Sequence, residues 1–165
     1  MSVVATLIQA IEFNRARTLG LLDNIVKEPD PQALLGWRPG AGRAHIAWQL
    51  THVGITEELF ATERLSPGKT AQFAELVPRF KGGSTPDDDI PSADLIRRVL
   101  NESRQHLIET LQSLGDDYLK VIPEAFKARN LTFHDVLHIL AWHEPHHQGQ
   151  AHITFNLYKA SLGKI

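Results

Sequence analysis

The spacing of apolar residues divides the chain into four long helical segments. Apolar positions recur at steps of three and four residues along 3–26, 42–64, 92–114 and 132–158, as they do on the buried face of an amphipathic helix. Between the second and third segments lies a long irregular connection, rich in proline and glycine, at residues 65–90. We find no convincing alternation with the period of two that is typical of a strand. The pattern therefore predicts an all-α fold, an antiparallel four-helix bundle, as a single domain over residues 1–165.

Capping residues support the predicted helix boundaries. Ser92 is a suitable N-cap for the third helix, and Thr132 with Asp135 forms a variant of the capping box that opens the last one. Residues 27–31, which include Pro29 and Pro31, end the first helix. The remaining segments are predicted as a loop at 34–40, a short helix at about 70–76 and an exposed loop at 82–89, next to the functional pocket.

The composition excludes several classes of protein. The chain has no cysteine, so disulfide scaffolds, thiolate zinc sites and cysteine nucleophiles are excluded. A net charge of −2 with scattered Lys and Arg gives no electrostatic footprint for nucleic acid. Glu12, Arg15 and Arg17 interrupt the first segment, so we expect neither an export signal nor a membrane span. A soluble cytoplasmic protein is the resulting expectation.

Histidines occupy positions where the helical pattern calls for apolar residues. The inward positions of the last helix, at steps of three and four, are Phe133, Val136, Leu140, His143, His147, Gln150, Thr154 and Leu157. Side chains at i and i+4 share a helix face, so His143 and His147 can point to one ion. The second helix carries His52 inward, between Trp48 and Ile55. Because helices face each other in a bundle, we predict that His52, His143 and His147 hold a divalent metal with an open coordination position.

The other histidines receive different predictions. His45 is either an outer neighbour of the site or a residue at the helix start, and His146 lies beside the predicted ligands. The pair His134 and His138 points away around the helix and is expected on the solvated surface. A surface or structural role is predicted for His106 and His152.

Residues 143–147 also match the H-E-x-x-H pattern of zincin proteases, in which the glutamate is a general base. Two features disfavour a protease: Pro145 should kink the helix, and the chain shows no strand to hold a peptide. Glu144 then either lies behind the ligands or faces solvent. We find no buried carboxylate on either histidine-bearing face, so no general base is predicted.

Two segments resemble the DinB/YfiT-like family. The sequence WHEPHHQGQ at 142–150, followed by Leu157-Tyr158 and Leu162-Gly163, is similar to the family's closing-helix signature, H-E-x-H-H-x-G-Q. The sequence QLTHV at 49–53 is similar to its ligand-bearing second helix, and Trp37-x-Pro39 precedes it. The resemblance implies an antiparallel four-helix bundle, a divalent ion (usually Zn or Ni) on His52, His143 and His147, and a homodimer.

The resemblance also implies an activity. Characterised relatives include metal-dependent S-transferases that use low-molecular-weight thiols such as bacillithiol or mycothiol, and a thiol-dependent isomerase. We therefore expect a metal-dependent enzyme that activates a thiol, or less readily water, toward a small electrophile. The alternative is a metal-binding or structural dimeric bundle without catalysis.

Overall fold

The computed structural model describes residues 2–163. Its α-helices are α1 (Val3–Val26), α2 (Pro31–Gly36), α3 (Ile46–Leu59), α4 (Val77–Phe80), α5 (Ala93–Leu114) and α6 (Phe133–Ser161). A π-helical turn (Phe60–Arg64) continues α3, and 3-10 turns at Asp116–Tyr118 and Glu124–Arg129 connect α5 to α6. The described residues contain no strand, which confirms the predicted all-α class. None of the helices in this range is both long and apolar enough to cross a membrane.

Four of these helices, α1, α3, α5 and α6, form the bundle, in which α1 and α3 each pack against both α5 and α6. Gly54 lies against Val99, and Ala61 accepts a hydrogen bond from Thr110, so α3 and α5 run parallel. Asp116, just after α5, accepts hydrogen bonds from the first turn of α1, as antiparallel packing requires. Gln49 and His52 of α3 contact Gln150 and His143 of α6, in reverse order, so these two helices are antiparallel. Each helix thus has one parallel and one antiparallel neighbour, whereas the sequence pattern predicted an antiparallel bundle.

The parallel arrangement of α3 and α5 explains the long connection between them. At ~1.5 Å per residue, α3 and its π-turn are about 28 Å long, and the chain must return over that distance before α5 begins. The connection is anchored by Phe73, Leu76 and Phe80, which are buried beside Trp48. It is irregular in secondary structure but packed against the bundle, so its backbone can position groups at the site.

Gly54 permits the close approach of α3 to α5. A Cβ added at this position would lie 2.7 Å from Val99 Cγ1 and 3.1 Å from the Val99 carbonyl oxygen. The second of these atoms belongs to the backbone and cannot move aside without shifting α5. A side chain at this position would therefore force α3 and α5 apart, which explains the glycine.

Most predicted boundaries of the long helices are confirmed. The first helix spans the predicted 3–26, Ser92 caps α5 at Leu95 N, and Thr132 and Asp135 form the reciprocal capping box of α6. The second helix is the exception, because α3 begins at Ile46 with His45 as its N-cap rather than at 42. Helical structure continues through Pro145 to Ser161, so this proline does not end α6.

Two short segments differ from the sequence prediction. Residues 31–36, partly predicted as loop, form α2 because Asp30 caps Ala33 N and Pro31 suits a first helical turn. The short helix expected at 70–76 instead occupies Val77–Phe80. The capping signal of α2 was readable in the Asp30-Pro31 pair, whereas α4 has no capping side chain to mark it.

Candidate metal centre

The three predicted histidines lie together between α3 and α6. Each of His52, His143 and His147 offers a ring nitrogen, and these nitrogens all lie within 4.8 Å of one another. His52 Nε2 is 3.1 Å from His143 Nε2. Two nitrogens on a tetrahedral zinc ion, each at about 2.0–2.1 Å, are roughly 3.3 Å apart. His52 and His143 are therefore already spaced for one ion, and a nitrogen of His147 lies within 4.8 Å of both.

Hydrogen bonds of the Nδ1 atoms fix the orientation and the tautomer of two of the rings. His52 Nδ1 lies 2.6 Å from the carbonyl oxygen of Phe80, which can only accept, so Nδ1 carries the proton. His147 Nδ1 similarly donates to Gln49 Oε1 at 2.5 Å. In both rings Nε2 is then the nitrogen without a proton, and His52 Nε2 accepts a hydrogen bond from His143 Nε2 in the absence of an ion. Ligand histidines of metalloproteins are commonly oriented by such bonds.

A chain of side-chain amides extends from His147 toward the surface. Gln49 Nε2 donates to Gln150 Oε1 at 2.9 Å, and Gln150 Nε2 donates to His146 Nε2 at 2.7 Å. His146 also stacks on Trp142, with ring centroids 4.4 Å apart. His146 thus lies beside the group, as expected, and reaches His147 through two glutamines that sequence reasoning had not assigned to the site.

The surroundings keep the three imidazoles neutral. Burial lowers the pKa of His52, and burial together with the neighbouring imidazoles lowers the pKa of His143 to about 4 and that of His147 to about 3. Trp48 stacks on the His52 ring at a centroid distance of 4.6 Å and contributes to this burial. A metal binds the neutral form of imidazole, so the lone pairs are available at neutral pH.

Next to the histidines, a cluster of buried charges crosses the bundle. The charged cluster consists of Arg15 on α1, Glu57 on α3, Arg104 on α5 and Glu144 on α6. Arg15 contacts Glu57 at 2.9 Å and Glu144 at 2.8 Å, and Arg104 contacts both carboxylates as well. Burial alone would raise the pKa of Glu57, but the two guanidiniums lower it. Two positive and two negative charges compensate each other here.

The charged cluster corrects the expectation that neither histidine-bearing helix carries a buried carboxylate. Glu57, Glu58 and Glu144 are all buried. Both oxygens of Glu144 accept hydrogen bonds from guanidiniums, so this residue does not face solvent and is not free to act as the general base of a zincin. The signal in the sequence was Arg104, which interrupts the apolar positions of α5 between Leu100 and Leu107.

The remaining histidines are accounted for by local contacts. His45 accepts from Trp48 N at 3.0 Å and contacts the Asp87 carbonyl at 2.9 Å, so its role at the helix start is the correct alternative. His106 lies 3.1 Å from Glu58, which is a structural contact. Exposed histidines, as predicted, are His134, His138 and His152.

A cavity of about 430 Å³ opens beside the histidines. Its walls come from α3 and its π-turn, from α6, and from the turn at Glu124–Arg129. The lining residues are His52, Thr56, Phe60, Arg64, Gly82, Ala125, Phe126, Arg129, Ile139 and His143. Of the loop at 82–89, only Gly82 reaches this lining. The cavity is large enough for a small molecule, and two candidate ligands form part of its wall.

Comparison with curated proteins gives no match, and neither does comparison with solved structures. The family model of the DinB superfamily, in contrast, matches residues 10–151, a range that includes His52, His143 and His147. The match agrees with the helical bundle and with the resemblance found at 142–150. The chain belongs to the DinB superfamily.

Proposed function

We propose that the protein is a metal-dependent enzyme in which His52, His143 and His147 hold a divalent ion, zinc or nickel. The observation that carries this proposal is the convergence of three imidazoles, two of which direct their protons outward to Phe80 and Gln49. Without a metal, the arrangement holds one buried and two half-buried neutral rings side by side, at a cost that an ion would offset. Three nitrogen ligands without a fourth protein ligand are typical of catalytic rather than structural zinc.

The reaction we propose is activation of a low-molecular-weight thiol, or of water, toward a small electrophile. A divalent ion with an open coordination position supplies this chemistry by lowering the pKa of a bound thiol or water. The protein contributes the cavity, where Phe60, Phe126 and Ile139 provide apolar walls for the substrate to pack against. The hydrogen bonds to Phe80 and Gln49 fix the orientation of the His52 and His147 rings.

Metal content tests the first part of this proposal. Elemental analysis of untagged protein should find close to one ion per chain, lost in His52→Ala and in His147→Ala while helical circular dichroism persists. His134→Ala, an exposed histidine on the same helix as His147, is the matched control and should retain the ion. Metal that survives His52→Ala would contradict a site shared between α3 and α6.

Catalysis is tested separately, with metal-loaded and chelator-treated protein. A panel of thiols is combined with a fluorogenic electrophile such as monochlorobimane, and the rate above the spontaneous reaction is measured. We expect acceleration that requires both the ion and His143. Water is tested in parallel with a panel of activated esters. Stoichiometric metal without acceleration of either reaction would contradict the enzymatic proposal.

The second candidate is a dimeric bundle that binds metal without catalysis. An exposed apolar face of α6 favours this candidate. It consists of Trp142, Ile153 and Leu157, which are 58%, 63% and 47% exposed, and such a face is typical of a surface covered by a partner. A second copy of the chain would cover this face. This candidate predicts an ion that neither exchanges its solvent ligand nor responds spectroscopically to added thiol.

A further inference from the structure

The cavity beside the three histidines has a basic wall. Arg64, from the π-turn, lies with its guanidinium carbon 4.5 Å from the centre of the Phe60 ring, and Arg129 lies 5.4 Å from that of Phe126. All four residues line the cavity that His52 also lines. Stacking on an aromatic face fixes a guanidinium in orientation and leaves its N–H groups free for a ligand.

Neither arginine has a carboxylate partner. Within the part of the chain that the structure describes, the side chains of Arg64 and Arg129 form no ion pair and no hydrogen bond, and no Asp or Glu lines the cavity. Arg15 and Arg104 differ in this respect, because each of them contacts the carboxylates of Glu57 and Glu144. Burial and, to a lesser extent, the charge of Arg129 lower the pKa of Arg64, although Glu63 acts in the opposite direction.

Arg64 is partly buried and Arg129 is exposed, so the two guanidiniums place positive charge both inside the cavity and at its mouth, with no carboxylate on the lining to balance it. The guanidinium fork matches the geometry of a carboxylate or a phosphate, which it can bind through two parallel hydrogen bonds. Besides the arginines and the histidines, the lining is mainly apolar, with Phe60, Phe126 and Ile139 as its large side chains and Thr56 as its one hydroxyl group. The cavity therefore suits a molecule with an anionic end, a short apolar middle and a reactive end.

We propose that Arg64 and Arg129 determine substrate specificity by binding an anionic group, a carboxylate or a phosphate, while the reactive end of the same molecule faces His52 and His143. This assignment rests on the proposed function, because it identifies the class of thiol or electrophile that the enzyme accepts. Arg64 and Arg129 are positioning residues in this scheme and do not take part in bond making.

Binding of simple thiols to cobalt-loaded protein tests the assignment without an activity assay. Visible absorption of Co²⁺ reports a thiol that reaches the ion, and the probes are 3-mercaptopropionate (anionic), 2-mercaptoethanol (neutral) and cysteamine (cationic). We expect 3-mercaptopropionate to bind about tenfold more tightly than 2-mercaptoethanol, as one charge-assisted contact would give, and cysteamine to bind most weakly. Acetate and inorganic phosphate are added as competitors, and the stronger one identifies the preferred anion.

Charge-neutral variants assign the effect to the two arginines. Arg64→Gln and Arg129→Gln should each weaken binding of 3-mercaptopropionate by roughly three- to tenfold and leave 2-mercaptoethanol nearly unchanged. Arg98→Gln is the matched control, since Arg98 stacks on Phe73 at 5.6 Å but lies outside the cavity. Arg129 is exposed, so its variant keeps the test valid even if Arg64→Gln impairs folding.

The outcomes separate this assignment from the proposed function. Failure to take up Co²⁺ would overturn the proposed function and the assignment together. Two outcomes would overturn the assignment alone. In the first, the protein takes up Co²⁺ but its affinity for thiols does not depend on their charge. In the second, the preference for 3-mercaptopropionate persists in both arginine variants. A preference that is lost in the variants and kept in Arg98→Gln would support it.

Discussion

Glu144→Gln removes one charge from the charged cluster without changing the size of the side chain. In the parent, the Glu144 carboxylate accepts from Arg15 Nε at 2.8 Å and from Arg104 Nη2 at 2.5 Å, with 2% of the side chain exposed. The amide keeps one acceptor but presents an NH₂ group to one of the two guanidiniums. The cluster then holds two buried cations and one anion, so one positive charge is uncompensated.

The expected loss of stability follows from the burial of the charges. Breaking a buried ion pair by removing one partner typically costs about 3–5 kcal/mol, because the remaining charge stays desolvated. Since a domain of this size has a total stability of about 5–15 kcal/mol, the variant should fold but unfold at a much lower urea concentration. Glu102→Gln, on the exposed face of α5, is the matched control and should change the free energy of unfolding by less than about 0.5 kcal/mol.

Urea unfolding at pH 7, followed by circular dichroism at 222 nm on metal-free protein, measures these differences. Combining Glu144→Gln with Arg104→Met leaves one cation and one anion, so the double variant should lose less stability than the sum of the two single losses, by at least about 1 kcal/mol. A loss of under about 1 kcal/mol for Glu144→Gln, or simple additivity, would refute the reasoning that charge compensation holds the cluster together.

Three further predictions concern packing, pH and assembly. Gly54→Ala should lower the free energy of unfolding by about 1–3 kcal/mol, because its Cβ would lie 3.1 Å from the Val99 carbonyl; urea unfolding checks this, and an unchanged midpoint would contradict it. In metal-free protein the pKa of His143 is lowered from 6.5 to about 4. Between pH 4 and pH 6.5 this residue therefore binds more protons in the unfolded chain than in the folded protein. The free energy of unfolding should fall as the pH drops from 6.5 toward 4, and it should fall less in His143→Gln. The predicted homodimer should become monomeric in analytical ultracentrifugation when Trp142 and Ile153 are both replaced by Glu, while equal masses for variant and parent would exclude this face as the interface.

The long helices and the histidine group were predictable because their signals are local. The Thr132 and Asp135 pair lies within one turn, and His143 and His147 are one turn apart, so both follow from helical geometry alone. The pairing of His52 with that turn required only that α3 and α6 face each other. In contrast, the partners of Arg15 lie 42 and 129 residues away, and no local rule identifies them.

The burial pattern of α6 shows a second reason for incomplete prediction. Alternating steps of three and four give a repeat of 3.5 residues, whereas a straight helix repeats every 3.6, so the predicted face drifts by about 20° per heptad. Over the 29 residues of α6 this drift leads to Leu157, which is exposed, and away from Ala151 and Phe155, which are buried. The 3.6-residue repeat from Phe133 reaches Glu144, and it would have indicated the burial of that carboxylate.

The hydrogen bond from His52 to the Phe80 carbonyl joins a candidate ligand to the connection between α3 and α5. Thermodynamic reciprocity then applies: an ion that favours this orientation of the ring also stabilises the connection, and a change that loosens the connection weakens ion binding by the same factor. Hydrogen exchange of residues near Phe80 should consequently slow when metal is added. Sequence variation in this connection can thus adjust metal affinity over evolutionary time while all three histidines remain unchanged.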